Sequence, residues 1–130
     1  MIPPKNTQVI EFPASTMWFD ENGILCSVAK KVSPQTVEEA KKTMEELRMI
    51  TGGKKNCLLS DSTDSTPLNK EMRDYAAKVI PEIAKAIAII SRSAVGKMVA
   101  NLFFSIKKQP YPVQIFTDER EAKEWLKQYL

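Results

Sequence analysis

The chain reads as one α/β domain over residues 1–130, built on a mixed sheet with an antiparallel N-terminal meander and parallel strands alternating with four helices. Three observations predict this. Asn22-Gly23 sits between two apolar runs, a strong hairpin signal because both residues tolerate positive φ. From Ser33 onward, segments of helical period alternate with short apolar runs, the pattern of right-handed crossovers between parallel strands. Finally, "AIAII" (Ala86 to Ile90) is almost continuously apolar, as expected of a strand buried on both faces.

Taken in order, "TQVIEF" (Thr7 to Phe12) predicts a first strand that breaks at Pro13. "STMWFD" and "ILCSV" follow as the two arms of a hairpin. With Asn22-Gly23 as its tip, Met17, Phe19, Ile24, Cys26 and Val28 take alternating positions, and Trp18 and Leu25 point the other way. Both faces of the hairpin are then apolar, so either helices cover both sides or one side meets a partner subunit. Ser33-Pro34 predicts an N-cap and first helical residue. Val37, Ala40, Met44, Leu47 and Ile50 recur at helical spacing until Gly52-Gly53. "NCLLSD" is suited to a buried central strand, and a second helix is expected from Pro67 until Pro81 breaks it. Thr66 is the expected cap of that helix, with Asn69 as the alternative. A third helix is expected from Ala94 to Ile106, where Gly96 implies close approach to another backbone. "PVQIFTD" is the last strand. The last helix is "EREAKEWLKQYL", capped by Thr117 or Asp118, with Ala122, Trp125, Leu126 and Tyr129 as its apolar stripe.

Composition excludes several function classes. The chain has no histidine, which removes the commonest general base and zinc ligand. Cys26 and Cys57 lie in apolar runs without a CxxC spacing and read as buried thiols in a reducing compartment. The net charge is only +3, and the pairs Lys30-Lys31, Lys54-Lys55 and Lys107-Lys108 sit at expected element ends. That is solvated turn charge rather than a nucleic-acid face. With no apolar leader at its start and no run long enough to cross a bilayer, the chain is expected to be cytoplasmic.

The densest polar stretch is "SDSTDST". Short polar side chains of this kind satisfy the backbone of a strand-to-helix turn and cap the helix beyond it. Ser62, Thr63, Ser65 and Thr66 are also candidate phosphorylation sites, since a hydroxyl-rich loop at a helix start welcomes phosphate. Its two carboxylates lack the regular ligand pattern of a calcium loop. Ser91-Arg92-Ser93 ends the next strand, where helix amides, a guanidinium and two hydroxyls could hold an anion. In a parallel sheet the loops after Asp61, Ser91 and Thr117 open at one edge, a usual place for ligands or partners. A phospho-aspartate receiver fails, because the only acidic pair in the first strands, Asp20-Glu21, sits in a hairpin turn and no lysine ends the last strand. No nucleophile has an evident base and no glycine-rich phosphate loop is present, so no catalytic residue and no cofactor are expected. Trp125, Tyr129, Phe103, Phe104 and Met98 sit at helical spacings and are expected in the core, as are Trp18, Met17 and the "LFFSI" stretch, for which exposure at a dimer or partner surface is the alternative.

The element order, with "LLSD" ending a central strand, "AIAIISRSAVGKMVANLFF" in the middle and "YPVQIFTDEREAKEWL" at the end, resembles the STAS/SpoIIAA-like domains of bacteria. The resemblance runs from about Thr16 onward and is carried best by Phe116-Thr117-Asp118-Glu119 with Ala122 and Trp125-Leu126. It implies a non-catalytic module that acts through another protein or through self-association, as anti-sigma-factor antagonists do. It also implies a phosphorylated serine at the start of the helix after the central strand. In this chain that place falls near Asn69-Lys70-Glu71, none of which bears a hydroxyl. The alternative expectation is a small-molecule, anion or lipid binder using the loop edge of the sheet or a cleft beside the third helix.

Overall fold

The structure is a computed structural model that describes residues 1–98, 101 and 109–130. Six strands form one sheet in the order β1 (Ile10–Glu11), β2 (Ser15–Phe19), β3 (Leu25–Ala29), β4 (Asn56–Asp61), β5 (Ala84–Ile90), β6 (Val113–Phe116). β1, β2 and β3 pair antiparallel, and β3 to β6 pair parallel. Helices α1 (Val37–Thr51) and α2 (Lys70–Ile83) join the parallel strands. Helical residues 94–98, here α3, follow β5, and α4 (Glu119–Lys127) closes the described chain. The rest of the helix expected through Ile106, including Phe103, Phe104 and the "LFFSI" stretch, lies outside the described residues, as does the Lys107-Lys108 pair.

The hairpin register differs from the expected one, for a definable reason. The tip is a three-residue loop, Glu21-Asn22-Gly23, in which only Gly23 has positive φ, at 80°. Asp20 pins it: its Oδ1 accepts from the amides of Asn22 and Ile24, each at 2.9 Å. A two-residue Asn-Gly turn would set Phe19 opposite Cys26, whereas here Phe19 pairs with Leu25 and Trp18 with Cys26. A slip of one residue moves a strand's whole side-chain set to the other face. Met17, Phe19 and Leu25 therefore face α1 and α2, packing with Met44, Leu47, Val79 and Ile83. Trp18, Ile24 and Cys26 face α4 and pack with Leu59, Ile90, Ala122 and Leu126. Helices cover both faces of the hairpin, and Trp18, 3% exposed, belongs to the core.

Three helix ends also depart from expectation. The cap of α1 is Thr36, not Ser33. Thr36 Oγ1 accepts from Glu39 N at 3.2 Å while Glu39 Oε1 accepts from Thr36 N at 3.3 Å. This reciprocal box satisfies two helix-end donors at once, which Ser33-Pro34 could not do. The cap of α2 is Asn69, whose Oδ1 accepts from Met72 N at 2.8 Å, so Thr66 stays in the loop. Pro81 does not break α2; the helix runs on to Ile83, and Ala84 N donates to Ile80 O as β5 begins. Asp118, one of the two residues expected at the start of α4, is its cap.

Candidate functional site

The residues singled out at the ends of β4 and β5 do come together. Asp61, 6% exposed, is their centre. Its Oδ1 accepts from Thr63 N at 3.0 Å and from Thr63 Oγ1 at 2.6 Å. Its Oδ2 takes the Arg92 guanidinium at 3.3 Å and lies 3.7 Å from the Met1 ammonium. Thr63 Oγ1 in turn accepts from Arg92 N at 3.2 Å, and Ser93 Oγ donates to Thr63 O at 2.8 Å. Ser93 Oγ also accepts from Gly96 N at 2.9 Å, which occupies one of the free amides at the start of α3. Ser91 is fully buried, with its hydroxyl on Ser93 O at 3.3 Å. The hydroxyls of Thr63, Ser91 and Ser93 and the amide of Arg92 therefore face partners within the cluster.

Gly96 is what allows the two loops to meet. A Cβ at this position would stand 2.5 Å from Ser91 Oγ and 2.6 Å from the backbone oxygen of Ser62. The close approach expected at Gly96 is thus present, against the β4–α2 loop. Thr117 is exposed at the end of β6 and makes no side-chain hydrogen bond among the described residues. Ser65 and Thr66 are half-buried and line a cavity of about 160 Å³ with Lys30, Ser33 and Gln35, whose Nε2 is buried without a partner among the described residues. Among the described residues no three His, Cys, Asp or Glu side chains come together.

Ser62 links this cluster to a second feature that sequence reasoning missed. Its hydroxyl donates to Ile90 O at 3.4 Å, and its side chain forms part of a cavity of about 270 Å³ between the sheet and the helices. The sheet contributes Leu25, Leu58, Ile87 and Ile89; the helices contribute Leu47, Ala76 and Ile80. Within these apolar walls Ser27 and Ser60 stand opposite each other on the parallel pair β3 and β4. Neither hydroxyl makes a hydrogen bond among the described residues. The sequence signal was a serine at a helix-facing position in each of two apolar strands, "LCSVA" and "NCLLSD", where a polar group needs a reason.

The two thiols offer no nucleophile. Burial, with the Asp20 charge second, pushes the Cys26 thiol up to about 12, and burial raises Cys57 as well. Both remain protonated at neutral pH, and the thiolate is the reactive form. No helix among the described residues is long and apolar enough to cross a membrane.

An antiparallel three-strand start, parallel strands with intervening helices and a last helix on the opposite face define a single-domain α/β protein of the SpoIIAA-like fold. A crystal structure of an uncharacterized protein from the DUF3478 family, with a SpoIIAA-like fold and from Shewanella loihica PV-4, is similar over 97% of this chain and 99% of its own, at TM-score 0.60 and 21% identity. The chain belongs to the family described as "Domain of unknown function (DUF7793)", which matches residues 17–130. A protein with unknown function from Arthrobacter sp. FB24 is 26% identical over 90% of this chain and 95% of its own, at TM-score 0.32. No curated protein matches the chain.

Proposed function

We propose that the protein is a non-catalytic binding domain that holds a small, mainly apolar ligand in an open-sided cavity between its sheet and helices α1 and α2. The observation that carries this reading is the cavity of about 270 Å³ with aliphatic walls. The pocket is open on one side, so its aliphatic walls stay in contact with water until an apolar body covers them, and removing that surface from water favours binding. A dry apolar cavity of about 150 Å³ takes one benzene, so this one suits a molecule of about ten heavy atoms. The absence of an accessible thiolate and of histidine agrees with binding rather than turnover.

The test is thermal unfolding with naphthalene, which has the right size and no polar group. A ligand that binds only the folded state raises its stability in proportion to the logarithm of its concentration over Kd. Wild type gains stability with naphthalene. Ala76→Trp, which fills the cavity from α2, does not, and Ala76→Leu responds less than wild type. An equal response of all three proteins overturns the reading.

A second reading, a contact with another protein or with a second copy of this chain, is favoured by the surface at the start of α3. Val95 is 52% exposed, and Met98, expected in the core, is 58% exposed on the same short helical segment that follows the half-exposed Arg92. Apolar side chains flanking an arginine have the composition of a protein contact. Sedimentation of wild type against Val95→Lys with Met98→Lys tests the self-association form. A change from dimer to monomer supports it, and a wild-type monomer at every concentration removes it.

A further inference from the structure

We infer that the cavity selects an amphiphilic ligand with one uncharged polar group, seated against the hydroxyls of Ser27 and Ser60. This rests on the proposed binding function and names the chemical class of its ligand.

Ser27 and Ser60 are direct neighbours on β3 and β4, and both side chains line the cavity. Each hydroxyl carries a donor and two acceptor lone pairs, none of them used among the described residues. Ser62 lies two residues further along the chain from Ser60 and lines the same cavity, so polar character runs toward the end of β4. Its own hydroxyl is engaged with Ile90 O, which leaves Ser27 and Ser60 as the open pair. In walls that are otherwise apolar, two adjacent half-exposed hydroxyls with no hydrogen bond among the described residues are directional when met by a ligand group.

The charge of that group follows from what is missing around it. Among the described residues no lysine or arginine lines the cavity, and the Arg92 guanidinium is held on Asp61 outside it. A carboxylate or phosphate placed against Ser60 would lose part of its hydration with no counter-charge among the described residues, which is unfavourable. An alcohol, phenol, ketone or amide brings a donor, an acceptor or both with no such penalty. The ligand class is therefore a neutral molecule of about ten heavy atoms, with a ring or short-chain body and a single hydroxyl or carbonyl end.

Three probes share one body and differ only in this end: naphthalene, 2-naphthol and 2-naphthoate. Titrated calorimetrically at pH 7 into the wild-type chain, 2-naphthol binds at least about tenfold more tightly than 2-naphthoate. In the Ser27→Ala, Ser60→Ala double variant the affinity for 2-naphthol falls about fivefold, while that for naphthalene holds or rises. Tighter binding of 2-naphthoate than of 2-naphthol by wild type overturns the inference without needing any variant. So does an equal change for naphthol and naphthalene in the double variant; in that case naphthalene binding, blocked by Ala76→Trp, leaves the cavity reading standing. If wild type binds none of the three, the cavity reading itself is overturned, and the inference with it.

Discussion

Replacing Asp61 with alanine removes the centre of the network that ties the β4–α2 loop to the start of α3. Two hydrogen bonds from Thr63, at 3.0 and 2.6 Å, are lost, together with the Arg92 contact at 3.3 Å. A bond to a charged acceptor contributes about 1.5–3 kcal/mol at most, and the half-exposed Arg92 and Thr63 recover part of this from water. The net cost is about 3 kcal/mol. Unfolding entropy near 2.1 cal/mol/K per residue is about 270 cal/mol/K for 130 residues, so Tm falls by about 10 °C. Asp61→Asn keeps an acceptor for Thr63 and loses only the charge, so its cost is about 1 kcal/mol and about 4 °C. Urea unfolding followed by the fluorescence of Trp18, which lies in the core, measures both, with an unchanged m value as the check on two-state behaviour. The exposed Asp64→Ala serves as the control. If Asp61→Ala costs no more than Asp64→Ala, the cluster does not hold the loops together and the reasoning fails.

Three further outcomes follow from the same geometry. Ser60→Ala removes a half-exposed hydroxyl that makes no hydrogen bond among the described residues, so the ligand-free protein changes by less than about 0.5 kcal/mol and its Tm by less than about 2 °C; a loss above about 1 kcal/mol would mean the hydroxyl is already satisfied. Gly96→Ala drives a Cβ to 2.6 Å from the Ser62 backbone oxygen, which cannot rotate away, and costs about 2 kcal/mol by urea unfolding. Burial raises the Cys26 thiol from its ordinary 9.0 to about 12 and the Tyr111 hydroxyl from 10.0 to about 12. Between those values the unfolded chain has released protons that the folded one retains. The stability these groups contribute is therefore whole below about pH 9 and is lost as pH rises toward 12. Urea midpoints taken from pH 8 to 11 fall accordingly, and Cys26→Ala falls less steeply than wild type.

The fold was legible because its signals are local and agree with one another. The apolar "AIAII" strand and the stripe of Ala122 and Leu126 each had one reasonable reading, and each is present in the structure, while Asn22-Gly23 marked a hairpin that is also present. The hairpin register was not legible, since Glu21-Asn22-Gly23 and Asn22-Gly23 are both acceptable loops. The choice turns on Asp20 Oδ1 reaching two amides across the tip. Caps were missed where two candidates competed nearby: Thr36 prevails over Ser33 because Glu39 answers it, three residues along. Asp61, Ser91, Arg92 and Ser93 were legible as one strand-edge cluster, since parallel strands open their loops at one edge. Their inward hydrogen bonding was not, because it depends on Gly96 letting the loops touch. The cavity left no trace in the periodicity. Leu58, Ala76 and Ile87 read as ordinary core positions, and only their spacing in three dimensions leaves room between them. Ser27 and Ser60 were the available hint, unremarkable apart and meaningful once the β3–β4 register sets them side by side.

The most direct test of the cavity as a ligand site is a titration of the isotopically labelled chain with 2-naphthol, followed through its backbone amide resonances. Saturable shifts are expected at Ser27, Leu58, Ser60, Ala76 and Ile87, with Lys85 and Glu124, which do not line the cavity, unmoved. Shifts confined to the exposed surface around Arg92 and Met98, or none at all at saturating probe, would contradict the cavity reading.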